Sequence, residues 1–247
     1  MKLRFSGQRA LIIGGSCDLA ICLAEQMIES ALLPILTYRN EDGSRRITDK
    51  LKVFAGRYET FYLDFSDSAS LDALFSGIND DLDFLVDFAQ GDMESLVASA
   101  NDDNISGYFT ENVSFRAKIL KRASRTMLQK RKGRLVFISS SAAQRPNIGQ
   151  GFYAAAKLAS EALYRNLGLE LGGRGITTVT LRPGYMDAGR GKRYLQTNAE
   201  EVLGKVPIRR VLTCKEMAET ILFFLSDSAG GFNAVGIPMD GGLTAGK

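Results

Sequence analysis

The chain has 247 residues, enough for one sizeable α/β unit with a substantial core. It contains no histidine, which excludes Ser-His-Asp and Cys-His mechanisms and zinc sites built on imidazole, so acid–base chemistry falls to Tyr, Lys, Asp, Glu or Cys and no metal site is expected. With 31 basic and 28 acidic residues, the net charge of +3 is too balanced to argue for a nucleic-acid partner.

The first residues, Met1 to Ser6, carry no apolar leader-like stretch, and no apolar run approaches the ~18 residues of a membrane span. Cys17, Cys22 and Cys214 show no paired spacing, which fits a reducing compartment. A cytoplasmic protein is expected.

Ala10 to Ile13 reads as a buried strand and Asp18 to Ser30 as the helix after it. Leu32 to Thr37 reads as the second strand, followed by a helix over about 43–55. Tyr58 to Leu63, Phe84 to Val86, Leu135 to Ile138 and Thr177 to Leu181 are further strands. Helical patterns fall between them, notably Ser114 to Lys130 and Tyr153 to Leu171. Near-continuous apolar strands separated by helices predict a parallel sheet covered on both faces. No repeat or Pro-rich linker divides the chain. The reading is therefore α/β: a single Rossmann-type, doubly wound parallel sheet of about seven strands, with residues 1–247 as one domain.

The first strand runs into Gly14-Gly-Ser16-Cys17-Asp18-Leu19-Ala20. Glycines there permit a tight turn, and the following helix presents free N–H groups to a pyrophosphate. The same loop would also serve as a plain turn, and it lacks a strict G-x-G-x-x-G. The second strand ends at Thr37-Tyr-Arg39-Asn40. An arginine there suits a ribose 2′-phosphate, where an acid would suit a 2′-hydroxyl, so NADP(H) is favoured over NAD(H) if a cofactor binds. The alternative is a solvated loop arginine neutralised by Glu41 and Asp42.

Tyr153-Ala-Ala-Ala-Lys157 places a phenol and an ammonium on one helix face. A nearby ammonium favours the phenolate, so the expectation is a tyrosine whose pKa is lowered by Lys157.

With these parts in order, the chain resembles the short-chain dehydrogenase/reductase family over nearly its whole length. The ordered set is the glycine loop at 14–20, Asp64 after the third strand, Asn112, Ile138-Ser139-Ser140, Tyr153-x-x-x-Lys157, Pro183-Gly184 and the late Pro238-Met-Asp-Gly-Gly-Leu-Thr. Ser140 lies 13 residues before Tyr153, and Asn112 lies 28 before Ser140. These spacings, with Gln150-Gly-Phe-Tyr, are similar to those of 3-oxoacyl-[acyl carrier protein] reductases.

The resemblance implies a catalytic tetrad. Tyr153 would protonate the carbonyl oxygen and Lys157 would hold the nicotinamide ribose. Ser140 would orient the carbonyl, with Ser139 and Ser141 as competitors. Asn112 would anchor a water linking Lys157 to solvent. The implied cofactor contacts are Gly14, Ser16, Cys17, Asp18, Leu19, Arg39, Asp64, Phe65, Ala89, Gln90, Pro183, Gly184 and Met186, besides Tyr153 and Lys157. Arg131 and Arg174 match basic positions that would dock an acidic carrier protein beside the active-site mouth. A substrate lid is expected near 188–206, carrying the basic run Gly189-Arg-Gly-Lys-Arg193. A homotetramer or homodimer is also implied.

The activity implied is NADPH-dependent reduction of a carrier-bound 3-oxoacyl thioester in fatty acid or polyketide-like biosynthesis. The alternatives are an NAD(P)-dependent dehydrogenase or carbonyl reductase for a free alcohol or ketone, and a cofactor-binding scaffold or sensor with little turnover. Three departures bear on these expectations. Asp18 and Ala20 replace loop glycines, although Asp18 would cap the helix. Asp87-Phe88-Ala89-Gln90 replaces Asn-Asn-Ala-Gly, removing amides that brace the sheet. Ala188 stands where a threonine contacts the cofactor.

Overall fold

The computed structural model describes residues 3–245, so the outermost ends of the 1–247 span lie outside it. Seven strands form one parallel sheet: β1 (Arg9–Ile13), β2 (Leu33–Tyr38), β3 (Glu59–Tyr62), β4 (Phe84–Asp87), β5 (Gly133–Ile138), β6 (Ile176–Pro183) and β7 (Val235–Met239). Their order across the sheet is β3-β2-β1-β4-β5-β6-β7. The chain winds outward from β1 in one direction and then from β4 in the other. The switch point between β1 and β4 is where such sheets open a crevice at their carboxyl ends.

The helices are α1 (Asp18–Glu29), α2 (Glu41–Lys50), α3 (Ser68–Gly77), α4 (Asp102–Phe109), α5 (Phe115–Lys130), α6 (Gly151–Leu171), α7 (Gly189–Lys205) and α8 (Cys214–Leu225). Alternation along the strands sorts side chains onto two cores. Ala10 and Ile12, Val136 and Ile138, and Val179 and Leu181 pack with α1 and α8. Leu11 and Ile13, and Leu135 and Phe137, pack with α3, α5 and α6. Both faces are covered, which explains why these strands read as unbroken apolar runs.

The sequence-derived boundaries hold to within a few residues, with two instructive differences. The helix expected over 43–55 ends at Lys50, and a 3₁₀ turn at Lys52–Phe54 follows. Asn40 caps it, accepting from the Gly43 N–H at 2.9 Å, which draws its start forward to Glu41. The cap of α1 is Cys17, whose Sγ accepts from the Ala20 N–H; Asp18, expected to be the cap, is instead the first helical residue. The segment expected to form a lid is largely helix α7, broken at Asn198 by non-helical backbone. Among the described residues, no helix is long and apolar enough to cross a membrane.

Candidate active site

The carboxyl ends of β1, β4, β5 and β6 deliver the candidate residues to one side of the sheet. β5 ends at Ile138, and Ser139 and Ser140 follow directly. Ser139 turns inward and donates to the Glu161 carboxylate at 2.6 Å. Ser140 heads the next short turn, accepting from the Ala142 N–H, and lies near enough to Tyr153 to lower the pKa of its phenol. Of the three adjacent serines, Ser139 is taken by Glu161, and Ser140 is the one that bears on the Tyr153 phenol.

Tyr153 and Lys157 sit in the first two turns of α6. Lys157 is 2% exposed, and its Nζ donates to the Ile138 carbonyl at 2.7 Å. The ammonium lies 4.9 Å from the centre of the Phe137 ring and 5.8 Å from that of Tyr153. Burial, reinforced by the neighbouring Arg116 guanidinium, holds the Lys157 pKa well below the usual lysine range. Burial pushes the Tyr153 phenol up, opposed first by the charge of Arg190 and then by the Ser140 hydroxyl. The expectation of a Tyr153 lowered by Lys157 is thus corrected. The cation that pulls the phenol down is Arg190, from the start of α7, and burial outweighs it.

Asn112 lies in a π-helical turn, Thr110–Ser114, between α4 and α5. Both ends of its side chain are held: Oδ1 accepts from the Gly91 N–H at 2.7 Å and Nδ2 donates to the Tyr108 carbonyl at 2.9 Å. Its backbone carbonyl accepts from Arg116. Asn112 therefore ties the loop after β4 to the α4–α5 junction.

The altered motif after β4 has a compensation that sequence reasoning missed. Asp87 and Arg116 form a buried ion pair at 2.7 Å, and the Tyr164 hydroxyl donates to the same carboxylate at 3.1 Å. Arg116 also donates to the Ala89 carbonyl and to the Ser160 hydroxyl. The bracing expected to be lost is supplied by charge in place of amides. The signal was available: Arg116 follows Asn112 by four residues, on the inward face of a helix, and Asp87 ends an apolar strand.

The residues expected to contact a cofactor lie at the carboxyl ends of the strands, from β3 across the β1–β4 switch point to β6. Gly14 has φ of 76°, and a side chain there would meet the Ala89 backbone at 3.0–3.1 Å, so the loop packs directly on the chain after β4. Leu19 is buried in the core beneath the loop. Gln90 Nε2 donates to the Tyr108 hydroxyl at 2.7 Å, while its Oε1 is buried with no hydrogen-bond partner. Phe65 stacks on Phe115 at 4.8 Å. Gly184 abuts the Asp240 backbone, where a side chain would come within 2.9 Å. Pro183 ends β6, and Met186 pairs with Leu212 as an isolated bridge.

Charge at the far side of this crevice differs from expectation. Arg39 pairs with Asp64 at 3.5 Å and Glu111 at 3.8 Å, not with Glu41 or Asp42. Asp18, an acid in the glycine loop, is neutralised by Arg46 of α2. Ser16 and Asn40 line a cleft of about 650 Å³ together with Arg45, Arg46 and Lys50.

Arg131 and Arg174 do not open toward the site of their own chain. Arg131 is the left-handed cap ending α5, two residues before β5 begins; Arg174 lies two residues before β6. In a parallel sheet the starts of strands form the edge opposite the carboxyl ends, where Ser140 and Tyr153 lie.

A phenol, a serine hydroxyl and a buried amine thus converge beside a crevice whose glycine loop, helix N-terminus and unpartnered Gln90 oxygen suit a dinucleotide. A family model described as "Enoyl-(Acyl carrier protein) reductase" matches residues 18–244. The chain belongs to the short-chain dehydrogenase/reductase family, a family of oxidoreductases.

Within that family it is similar to the 3-oxoacyl-[acyl-carrier-protein] reductases FabG of Salmonella typhimurium and Escherichia coli. Identity is 27% with each, over 98% of this chain and 99% of each relative. Solved structures that share the fold include YwfH, an NADPH-dependent reductase involved in bacilysin biosynthesis (TM-score 0.89, 22% identity, 98% of this chain and 100% of the other). Another is the actinorhodin polyketide ketoreductase with NADPH (TM-score 0.88, 21% identity, 96% of this chain and 97% of the other).

Proposed function

We propose that this chain is an NADPH-dependent ketoreductase that converts a 3-oxoacyl thioester to its 3-hydroxyacyl form. The observation that carries this reading is the convergence of Ser140, Tyr153 and Lys157 at the carboxyl end of β5. There a carbonyl oxygen can take two hydroxyl donors as charge develops on it. Bound NADPH supplies the hydride. Tyr153 donates the proton to the carbonyl oxygen, and Ser140 holds that oxygen by a second hydrogen bond. Lys157 has one backbone acceptor and donors to spare for ribose hydroxyls.

Preference for NADPH rests on Arg45, Arg46 and Lys50 in the cleft near Ser16 and Asn40, which also holds Asp42 and Asp49. Arg46 and Arg45 stand where a 2′-phosphate would enter, and Arg39 is close enough to exchange its acidic partners for that phosphate. An acyl carrier protein fits the exposed Lys192 and Arg193 at the start of α7 better than Arg131 and Arg174 at the opposite end of the sheet. A homodimer or homotetramer is favoured by the outer face of α6, where Leu158 and Leu169 are 47% and 68% exposed. A cytoplasmic location accords with the sparse, free cysteines.

The test is initial rates on a panel of β-ketoacyl thioesters, run with NADPH and NADH in parallel and with an enoyl thioester as comparison. Consumption of NADPH with the keto substrates is the expected result. No consumption with any of them would refute the reading, and consumption with the enoyl thioester alone would move the activity to C=C reduction.

A further inference from the structure

The cation that faces the proton-donating phenol belongs to α7. Arg190 follows Gly189, which turns the chain at φ of 51° six residues after β6 ends. Its guanidinium carbon lies 4.7 Å from the centre of the Tyr153 ring. Nη1 donates to Asp92, from the loop after β4, at 2.6 Å. Arg190 therefore bridges the two sides of the cleft directly over the catalytic tyrosine.

We propose that Arg190 is a specificity-determining residue that takes the second carbonyl oxygen of a 1,3-dicarbonyl substrate, while Tyr153 and Ser140 take the first. This deepens the ketoreductase reading and rests on it. A guanidinium has five N–H donors in one rigid plane, and Asp92 occupies one end of it. In a 3-oxoacyl thioester, folding the short link between the carbonyls turns both oxygens to one side. One then meets the phenol while the other meets a group lying over the phenol ring. An isolated ketone has no second oxygen and gains nothing from the fork.

Electrostatics decides between a neutral and an anionic second group. Arg190 already has Asp92 as counter-ion, with Glu94 close by. A carboxylate entering beside them would face two like charges, whereas a neutral carbonyl needs only a donor. Asp92 is 59% exposed, so the pair is a weak, exchangeable one that leaves Arg190 free to shift onto substrate. The chemistry selected is a thioester or ester carbonyl two carbons from the ketone, not a free β-keto acid.

The experiment compares wild type, Arg190→Met and Arg190→Lys on three substrates: an acetoacetyl thioester of a small thiol, free acetoacetate and a monofunctional ketone of similar length. Methionine keeps the length of the side chain and removes every donor; lysine keeps one donor group and loses the fork. The expected result is a wild-type preference for the thioester. Arg190→Met lowers kcat/KM on the thioester roughly 10- to 100-fold more than on the monoketone, chiefly through KM, with partial rescue in Arg190→Lys. Equal losses on both substrates, or no loss on either, would overturn the proposal, as would a wild-type preference for acetoacetate. A wild type that reduces none of the three substrates defeats the ketoreductase reading itself, an outcome distinct from equal losses in an active enzyme.

Discussion

Arg116 and Asp87, neither with appreciable exposure, share a 2.7 Å ion pair between α5 and the end of β4. Tyr164 from α6 donates to the same carboxylate, and its ring stacks on Phe137 at 4.8 Å. One buried charge pair thus joins a strand and two helices directly beneath the Lys157 amine. Removing one partner leaves an uncompensated buried charge, which costs about 3–5 kcal/mol. Arg116→Met and Asp87→Ala are each expected to lose about that much in chemical denaturation. Combining Arg116→Met with Asp87→Asn is expected to recover part of the loss, because no bare charge remains.

The difference between this pair and the rest of the fold explains what the sequence made legible. Strand and helix positions came from local periodicity, and β1, β4 and β5 were readable because a sheet covered on both faces makes unbroken apolar runs. Ser140, Tyr153 and Lys157 were readable as an ordered set with fixed spacing. Arg116 and Arg46 are not singled out by the sequence, and Arg190 only as part of a basic run, because each acts through a partner distant in sequence: Asp87, Asp18 and Asp92. Arg131 and Arg174 were placed by analogy of position, and only the topology shows that they sit at the starts of β5 and β6.

Tyr153→Phe removes the proposed proton donor with little change in volume. The expected effect is a fall in kcat of about 10² to 10⁴, with NADPH still binding by fluorescence titration. Because burial raises the Tyr153 pKa, the phenol stays protonated through neutral pH. The rate of reduction should then be flat until pH passes the ordinary phenol pKa of about 10. A rate falling already between about pH 7 and 8 would show that the proton donor titrates below the ordinary phenol range in the working complex, against the direction that burial gives Tyr153.

Arg46 neutralises Asp18 in the glycine loop, so under the proposed NADPH binding it would bear on phosphate twice. It offsets an acid beside the pyrophosphate position, and it lines the cleft where a 2′-phosphate would lie. Arg46→Ala is expected to raise KM for NADPH roughly 10-fold or more, the worth of one charge-assisted contact. The rise for NADH should be smaller, reflecting only the uncovered Asp18. Adding Asp18→Asn should recover the NADH value and leave the NADPH defect, a split that steady-state kinetics with both coenzymes can read.

Helix α8 supplies the last prediction, one about stability. Thr213 caps it in a reciprocal box: its hydroxyl accepts from the Glu216 N–H at 3.2 Å, and the Glu216 carboxylate accepts from the Thr213 N–H at 2.9 Å. Arg210 adds an ion pair at 2.6 Å. The Arg210 contact and the capping bonds together pull the Glu216 pKa down to about 2. A carboxylate depressed on folding contributes stability that is fully present above its ordinary pKa of 4.5 and is lost as pH falls toward about 2. Because α8 packs on α1 through Ala218, Ile221 and Leu222, loosening its first turn should be felt in global unfolding. Thr213→Ala is expected to cost about 1 kcal/mol at neutral pH. Glu216→Gln, with no carboxylate to lose, should narrow its stability gap to wild type as pH is lowered from about 5 to 2. Parallel denaturation series at those two pH values check the sign, and a gap that widened on acidification would contradict it.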